Sequence, residues 1–319
     1  MSLNLEVLDI LKKTAIFYVK NINFIIFTFL ASLPFYFVMV YFEILFQKTI
    51  AETPEIIPLL PFHEQHYLFS FPIYADTNVA VKSFSKDYLP VLLQLIFIYL
   101  APLHVLELCS SALTVDFASK LLSEENSMSL KDMFKRSIDI SILKGTFKTS
   151  LYTLFLSSCL LIAFPWTASN CYSFFRVFGS YVFYVICIIA LAKLLMMYLE
   201  WSAIWNMSIV VSILEGVYGI GALRVSYFFS RGNQRRGLLL MLVFFVLRHC
   251  LRLSCVSFRC YKGGYGIFLQ IGFLIVVNTL KWVSCLIHYN DCKERKMEKK
   301  VDEELGEGLE NDSSQEASR

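Results

Sequence analysis

The sequence predicts an all-α fold, specifically a polytopic membrane helix bundle. Its composition is strongly apolar, with 56% hydrophobic and only 17% charged residues, whereas a soluble domain carries about 25% charged residues. Its mean hydropathy is +0.57. A chain this apolar exposes more hydrophobic surface than one globular core can bury, so lipid must solvate much of it. Finally, it contains six apolar stretches that approach or exceed the roughly 20 residues needed to cross a bilayer.

These six predicted spans are predominantly apolar and cover residues 22–46, 88–110, 145–168, 177–201, 238–258 and 265–288. Together they define a six-helix transmembrane domain over residues 1–290. The remaining residues, 291–319, are first basic and then acidic and show no apolar period. Such a composition predicts a disordered cytosolic tail.

Lysine and arginine set the expected orientation, because cytosolic loops of membrane proteins are enriched in both. With the N-terminus in the cytosol, 19 of the 29 lysines and arginines fall in cytosolic segments and six fall outside. The longest outside loop then covers residues 47–87. We therefore expect both termini to be cytosolic, in a protein of the endomembrane system or plasma membrane.

Three cytosolic segments have the pattern of amphipathic surface helices, at about residues 3–19, 129–138 and 220–230. The first places Leu8 and Val19 on one apolar face. The basic residues of the other two segments and their flanks are Lys131, Lys135, Arg136, Arg224, Arg231, Arg235 and Arg236. Such helices suit an anionic leaflet, although the same pattern also fits connectors that pack against the bundle.

A weak internal similarity accompanies these segments. Lys144-Gly145 and Arg236-Gly237 each stand before a predicted span and follow a basic segment. This arrangement is compatible with a 3+3 helical repeat.

The most unusual charges are Arg248 and Arg252, which are four residues apart and share a face of the fifth predicted span. An arginine near the bilayer centre costs about 2.5–3.5 kcal/mol on insertion scales, so it should find a partner. The candidate partners are Glu107, Glu43 and Glu200. Arg248, Arg252 and Glu107 could form an anion or lipid-headgroup site. Alternatively, the arginines make a structural ion pair or extend to the interface.

The sequence contains no recognisable catalytic or cofactor-binding set. His63, Glu64 and His66 lack the spacing of a helical zinc motif, and no other metal or cofactor site is expected. The nine cysteines form no CxxC and mostly lie in apolar runs, which predicts small buried side chains and no disulfide framework. We therefore expect a protein that is not an enzyme and binds no nucleic acid.

Residues 200–237 read EWSAIWNMSIVVSILEGVYGIGALRVSYFFSRGNQRRG. This stretch resembles the signature of a family of uncharacterised plant multi-pass membrane proteins. It is more distantly similar to the membrane domain beside bacterial glycerophosphodiester phosphodiesterases. The matching elements are Trp201, Trp205, Val210-Val211, Leu214-Glu215, Ala222-Leu223, Ser226 and Arg236-Gly237. The resemblance implies six helices and a membrane location but no activity, since the phosphodiesterase barrel is missing.

The leading functional hypothesis is a non-enzymatic membrane protein with a membrane-organising, trafficking or lipid-interacting role. Its expected partners are membrane lipids, particularly anionic ones. The alternative is a small-anion transporter or channel that uses the intramembrane arginines Arg248 and Arg252.

Overall fold

The computed structural model describes residues 3–52, 89–123, 133, 140–178, 181–258 and 265–316. Nearly all of these described residues are helical and none forms a strand. The all-α fold class predicted from the sequence is therefore confirmed.

Ten α-helices follow one another along these ranges. They are α1 (Leu3–Lys20), α2 (Ile22–Ala31), α3 (Leu33–Glu52), α4 (Leu89–Ile98), α5 (His104–Ser123), α6 (Ile140–Phe178), α7 (Tyr181–Glu215), α8 (Ile220–Ser230), α9 (Gln234–Ser257) and α10 (Tyr265–Glu316). A π-helical turn, Tyr99–Leu103, joins α4 to α5 and contains Pro102. Since proline has no backbone N–H to donate, the regular α-helical ladder is interrupted there.

Five helical stretches within the described residues are long and apolar enough to cross a membrane. They are Leu93–Ser123, Ile140–Ala168, Val185–Glu215, Gln234–Cys255 and Tyr265–Glu298. A sixth arises if Glu6–Lys20 and Ile22–Ala31, which meet at an angle of 91°, form one broken span. The chain is thus an integral, multi-pass membrane protein, and the part of it that the structure describes contains five or six candidate spans.

The first predicted span, residues 22–46, is divided at Ser32 into α2 and α3. The Ser32 backbone N–H donates to both the Thr28 and Phe29 carbonyls, at 3.0 and 3.1 Å. Pro34 follows two residues later and removes a further donor from the helix. The single helix expected from composition is therefore interrupted at this point.

By its contacts the chain divides into two compact units whose segments alternate along the sequence. Unit 1 contains Met1–Phe27, Ser111–Val246 and Thr279–Arg319, and unit 2 contains Thr28–Ser110 and Leu247–Asn278. A 3+3 repeat would place the first three spans in one body and the last three in the other. Neither unit matches such a half, so this division gives the suggested repeat no support.

Unit 1 is built on the hairpin of α6 and α7, with α8 packed on α7. The face of α8 that packs consists of the small residues Ala222, Ser226 and Ser230, all buried. Small side chains let the two backbones approach closely, and the Ser226 hydroxyl donates to the Ile204 carbonyl at 2.7 Å. The connection from α7 to α8 turns at Gly216 and Gly219, both at φ +65°, a conformation that favours glycine.

Unit 2 has a compact apolar core. Its buried members come from α3, α4, the π turn, α9 and α10 and include Phe35, Met39, Leu95, Leu103 and Ile271. This core surrounds the polar cluster described in the next subsection.

Helix α10 continues to Glu316, where the sequence predicted a disordered tail over residues 291–319. Cys292 is fully buried, and Lys293 forms an ion pair with Glu215. The first residues of the expected tail are therefore packed parts of unit 1. The physical reason is that their charges find carboxylates on other helices.

Candidate functional site

A buried ion pair lies within unit 2. The Glu43 side chain of α3 is fully buried, and Arg252 of α9 is 24% exposed. Arg252 donates from Nε to Glu43 Oε1 at 3.1 Å and from Nη2 to Oε2 at 2.8 Å. This two-point geometry is the strong form of an arginine–carboxylate pair.

Two glutamines complete the Glu43 cluster, which consists of Glu43, Gln47, Arg252 and Gln270. Gln47 Nε2 donates to Glu43 Oε1 at 3.2 Å and to Gln270 Oε1 at 3.1 Å. Gln270 Nε2 lies 3.5 Å from Glu43 Oε1, and the Arg252 guanidinium lies 5.0 Å from the centre of the Phe46 ring. The carboxylate is thus surrounded by donors, and its charge is balanced by Arg252.

The predicted ligand-binding set of Arg248, Arg252 and Glu107 is not joined by ion pairs within the described residues. Arg252 pairs with Glu43, one of the three carboxylates that the sequence nominated. Among the described residues, no ion pair joins Glu107 to either arginine, and none involves Arg248, which is half-buried. Since Glu43 and Arg252 are 209 residues apart, sequence could not choose between the candidate partners.

A second charged cluster lies in unit 1, where Arg236 of α9 is 2% exposed. Its Nη1 donates to Asp291 Oδ2 at 2.8 Å, and its Nε lies 3.2 Å from Glu6 Oε2. Arg295 pairs more loosely with the same two carboxylates, at 3.4 and 3.7 Å. The sequence placed Arg236 on a lipid-binding surface. The structure instead buries it as a tie between α1, α9 and α10.

The same part of α10 also holds the end of α7. Lys293 Nζ donates to Glu215 Oε1 at 2.8 Å, and the Tyr289 hydroxyl donates to the same oxygen. These contacts were missed because residues 291–319 were assigned to a disordered tail. Charge alternation between residues 291 and 295 was the one available signal.

The exposed side of α8 combines cations with apolar side chains, and we call it the α8 face: Ile220, Arg224, Tyr227, Phe228 and Arg231. Tyr227 is 47% and Phe228 57% exposed. Arg235 is exposed nearby in sequence, and Lys296 Nζ lies 5.0 Å from the centre of the Phe228 ring. Arg224, Arg231 and Arg235 are thus exposed, as the predicted surface role requires.

The other predicted basic residues, Lys131, Lys135 and Arg136, lie outside the described residues. Met133 is described between them and is buried.

Helix α1 has a packed side and an exposed side. The packed side lies within unit 1 through the buried residues Val7, Ile10, Thr14, Phe17 and Tyr18, and the Thr14 and Ser284 hydroxyls are hydrogen-bonded at 3.0 Å. The exposed side includes the apolar residues Leu8, at 59%, and Val19, at 77%. It also carries the exposed charges Asp9, Lys12, Lys13 and Lys20.

No group of three or more histidine, cysteine, aspartate or glutamate side chains that could hold a metal occurs within the described residues. No protein-family model, curated protein or solved structure matches this chain. Within the described residues, the Glu43 cluster contains a paired charge, and the α8 face presents exposed arginines beside aromatic rings.

Proposed function

We propose that the protein is a non-enzymatic multi-pass membrane protein that gathers anionic lipid at its cytosolic surface, in a membrane-organising or trafficking role. The observation that carries this proposal is the α8 face. It places Arg224 and Arg231 beside Tyr227 and Phe228 on the exposed side of one helix.

This combination matches the chemistry of a membrane interface. Tyrosine rings settle at the level of the lipid headgroups, and each arginine near an anionic leaflet contributes about 1 kcal/mol. Helix α8 has 11 residues, about 16 Å at 1.5 Å per residue, which is too short to cross a bilayer. Among the described residues no carboxylate pairs with Arg224, Arg231 or Arg235, so their charges are available to phosphate groups.

Helix α1 supports the same proposal. Its exposed apolar side, with Leu8 and Val19, has no protein cover among the described residues and is well matched to lipid acyl chains. The 91° bend before Ile22–Ala31 suits a helix that lies along the membrane surface and then turns into it.

The proposal also includes the orientation of the chain in the membrane and the family to which it belongs. We propose that both termini are cytosolic, on the basis of the lysine and arginine distribution, and that the membrane is an endomembrane or the plasma membrane. The resemblance of residues 200–237 to the plant multi-pass family includes the whole of α8. We propose membership of that family, without any phosphodiesterase activity.

The proposal is tested by the lipids that the full-length protein retains. Protein reconstituted in equal amounts of phosphatidylserine and phosphatidylcholine is gently solubilised, and the retained headgroups are measured by mass spectrometry. Wild-type protein should be enriched in phosphatidylserine. The Arg224→Gln, Arg231→Gln double variant removes about 2 kcal/mol of attraction, roughly 30-fold in affinity, so its lipids should approach the vesicle ratio.

A matched control keeps the positive charge at both positions through Arg224→Lys and Arg231→Lys, since lysine and arginine contribute alike to attraction by an anionic leaflet. The control should retain most of the enrichment. An equal loss in both variants, or none in the glutamine variant, would contradict the proposal.

Anion transport is the second candidate, and the environment of Arg248 is the observation that favours it. Arg252 is neutralised by Glu43, while Arg248 has no carboxylate partner among the described residues. If the protein transports anions, Arg248→Ala should abolish chloride flux into reconstituted vesicles without lowering thermal stability. Wild-type protein that carries no flux above empty vesicles would eliminate this candidate.

A further inference from the structure

Three side-chain contacts define the interface between α6 and α7 in the hairpin, and we call this interface the seam. The Ser212 hydroxyl donates to Thr149 Oγ1 at 2.8 Å. The rings of Phe164 and Tyr198 meet edge to face, with centres 6.3 Å apart. Closer to the connection between the two helices, the side chains of Cys171 and Cys187 interact with each other.

Helical geometry shows that the cysteine contact belongs to this seam. Cys171 follows Phe164 by seven residues on α6, and Cys187 precedes Tyr198 by eleven on α7. At about 100° per residue, both intervals return to within roughly 20° of the starting direction. The two cysteines therefore lie on the sides of α6 and α7 that already face each other.

The position of the connection gives the same register. The midpoint between Cys171 and Cys187 is residue 179, and this residue falls between the end of α6 at Phe178 and the start of α7 at Tyr181. In an antiparallel hairpin, residues at equal distances from the connection stand opposite each other. The hairpin register and the side-chain contacts along the seam therefore both place Cys171 opposite Cys187.

Both side chains are half-buried free thiols in the structure. A disulfide requires facing Cβ atoms on closely approaching backbones. Two cysteines that interact from facing sides of adjacent helices meet the first of these conditions.

We propose that Cys171 and Cys187 form a disulfide that closes the end of the α6–α7 hairpin. The bond rests on the proposed orientation, which puts this end outside the cytosol, in an oxidising compartment. Each thiol loses one proton, and the pair gives two electrons to a disulfide oxidant, either an exchange protein or glutathione disulfide. The oxidant is reduced to two thiols as the Cys171–Cys187 sulfur–sulfur bond forms.

The test reads each cysteine separately in full-length protein from eukaryotic membranes. Free thiols are first blocked with N-ethylmaleimide under denaturing conditions, disulfides are then reduced, and the released thiols receive an isotopically heavy maleimide. Peptide mass spectrometry should find the heavy label on Cys171 and Cys187. Cys159, exposed on the same helix, should carry the light label.

Two variants fix the pairing. Cys171→Ser should convert Cys187 to the light label, because its partner is gone, whereas Cys159→Ser should leave both cysteines heavy. Light label on Cys171 and Cys187 in the wild-type protein overturns the proposal without any need for a folded variant. Heavy label on Cys187 in the Cys171→Ser protein also overturns it, since another partner would then be present.

Discussion

Arg235 and Arg236 are neighbours in the sequence with opposite surroundings in the structure. Arg235 is exposed at the start of α9, whereas Arg236 is buried between Asp291 and Glu6. Their side chains diverge because successive helical residues point about 100° apart. Of these two adjacent arginines, Arg236 therefore has a structural role and Arg235 is available at the surface.

We expect Arg236→Ala to destabilise the protein and Arg235→Ala to leave it nearly unchanged. Removing one partner of a buried ion pair costs about 3–5 kcal/mol. Because Asp291 and Glu6 are about one quarter exposed, we expect roughly 2–3 kcal/mol here. The Arg235 variant should stay within about 0.5 kcal/mol. Thermal unfolding in detergent, followed by circular dichroism, measures both, and equal shifts would contradict the assignment.

Glu43 provides the second prediction for a single residue. Glu43→Gln leaves the Arg252 guanidinium without its counter-charge, at a cost of about 2–4 kcal/mol. Adding Arg252→Gln should recover a good part of this loss, because a neutral pair needs no buried counter-charge. The control is Glu107→Gln, which removes a half-buried carboxylate that no ion pair joins to Arg252 among the described residues. Unfolding temperatures of the wild type, both single variants, the double variant and the control give the comparison. A double variant at the sum of the single losses would refute the pairing.

The side chain of Thr149 ties together three parts of unit 1. Its Oγ1 accepts from the Ser212 hydroxyl of α7 and from the Gly219 backbone N–H before α8, both at 2.8 Å. One side chain on α6 thus fixes the turn that positions the α8 face.

Thr149→Val keeps the side-chain shape and removes these two contacts. The buried Gly219 N–H is then left without an acceptor, which costs about 1–3 kcal/mol. Thr153→Val is the matched control one turn along α6, since the Thr153 hydroxyl donates only to the Ser150 carbonyl of its own helix, at 2.9 Å. Urea-dependent unfolding in detergent compares the two. A larger loss at position 153 would contradict the proposed role of Thr149.

Helices were predictable from apolar length, because a spanning helix satisfies its own backbone hydrogen bonds. Five of the six predicted spans overlap candidate spans of the structure. Pro34 lies inside the first predicted span, where a proline predicts a kink, and the structure divides that span nearby, at Ser32. The sequence could not distinguish a kink from a division. The packed start of the expected tail was missed because its partner, Glu215, precedes Lys293 by 78 residues.

The candidate sites were predictable only in part. The position of Arg252 in an apolar span predicted a carboxylate partner, and Glu43 was one of three candidates. Only the fold shows that Glu43 is the partner. The exposed arginines of α8 followed from helical periodicity alone. Gln47 and Gln270 gave no signal, because an isolated glutamine in an apolar run looks the same whether it faces lipid or a polar cluster.

At the scale of the whole molecule, the chain passes repeatedly between two compact units. Helices α2, α5, α9 and α10 each contribute residues to both units. Mutations in the Glu43 cluster and in the Arg236 cluster therefore act on different units, and we expect their effects on unfolding to be nearly additive because they share no partner.

Orientation in the membrane is the property on which both proposals depend. The α8 face meets the anionic leaflet only if it is cytosolic, and the Cys171–Cys187 pair meets an oxidising compartment only if it is not. Glycan attachment reports this directly, because N-x-S/T acceptors are modified only outside the cytosol. The chain has a natural acceptor at Asn311, and Gln65→Asn with Tyr67→Thr creates another in the 47–87 loop.

The decisive measurement is glycosylation of this double variant in eukaryotic cells, read as a mobility shift that glycosidase removes. The account predicts a glycan at position 65 and none at Asn311. A glycan at Asn311, lost on Ser313→Ala, would invert the orientation and contradict both proposals, and so would the absence of a glycan at position 65.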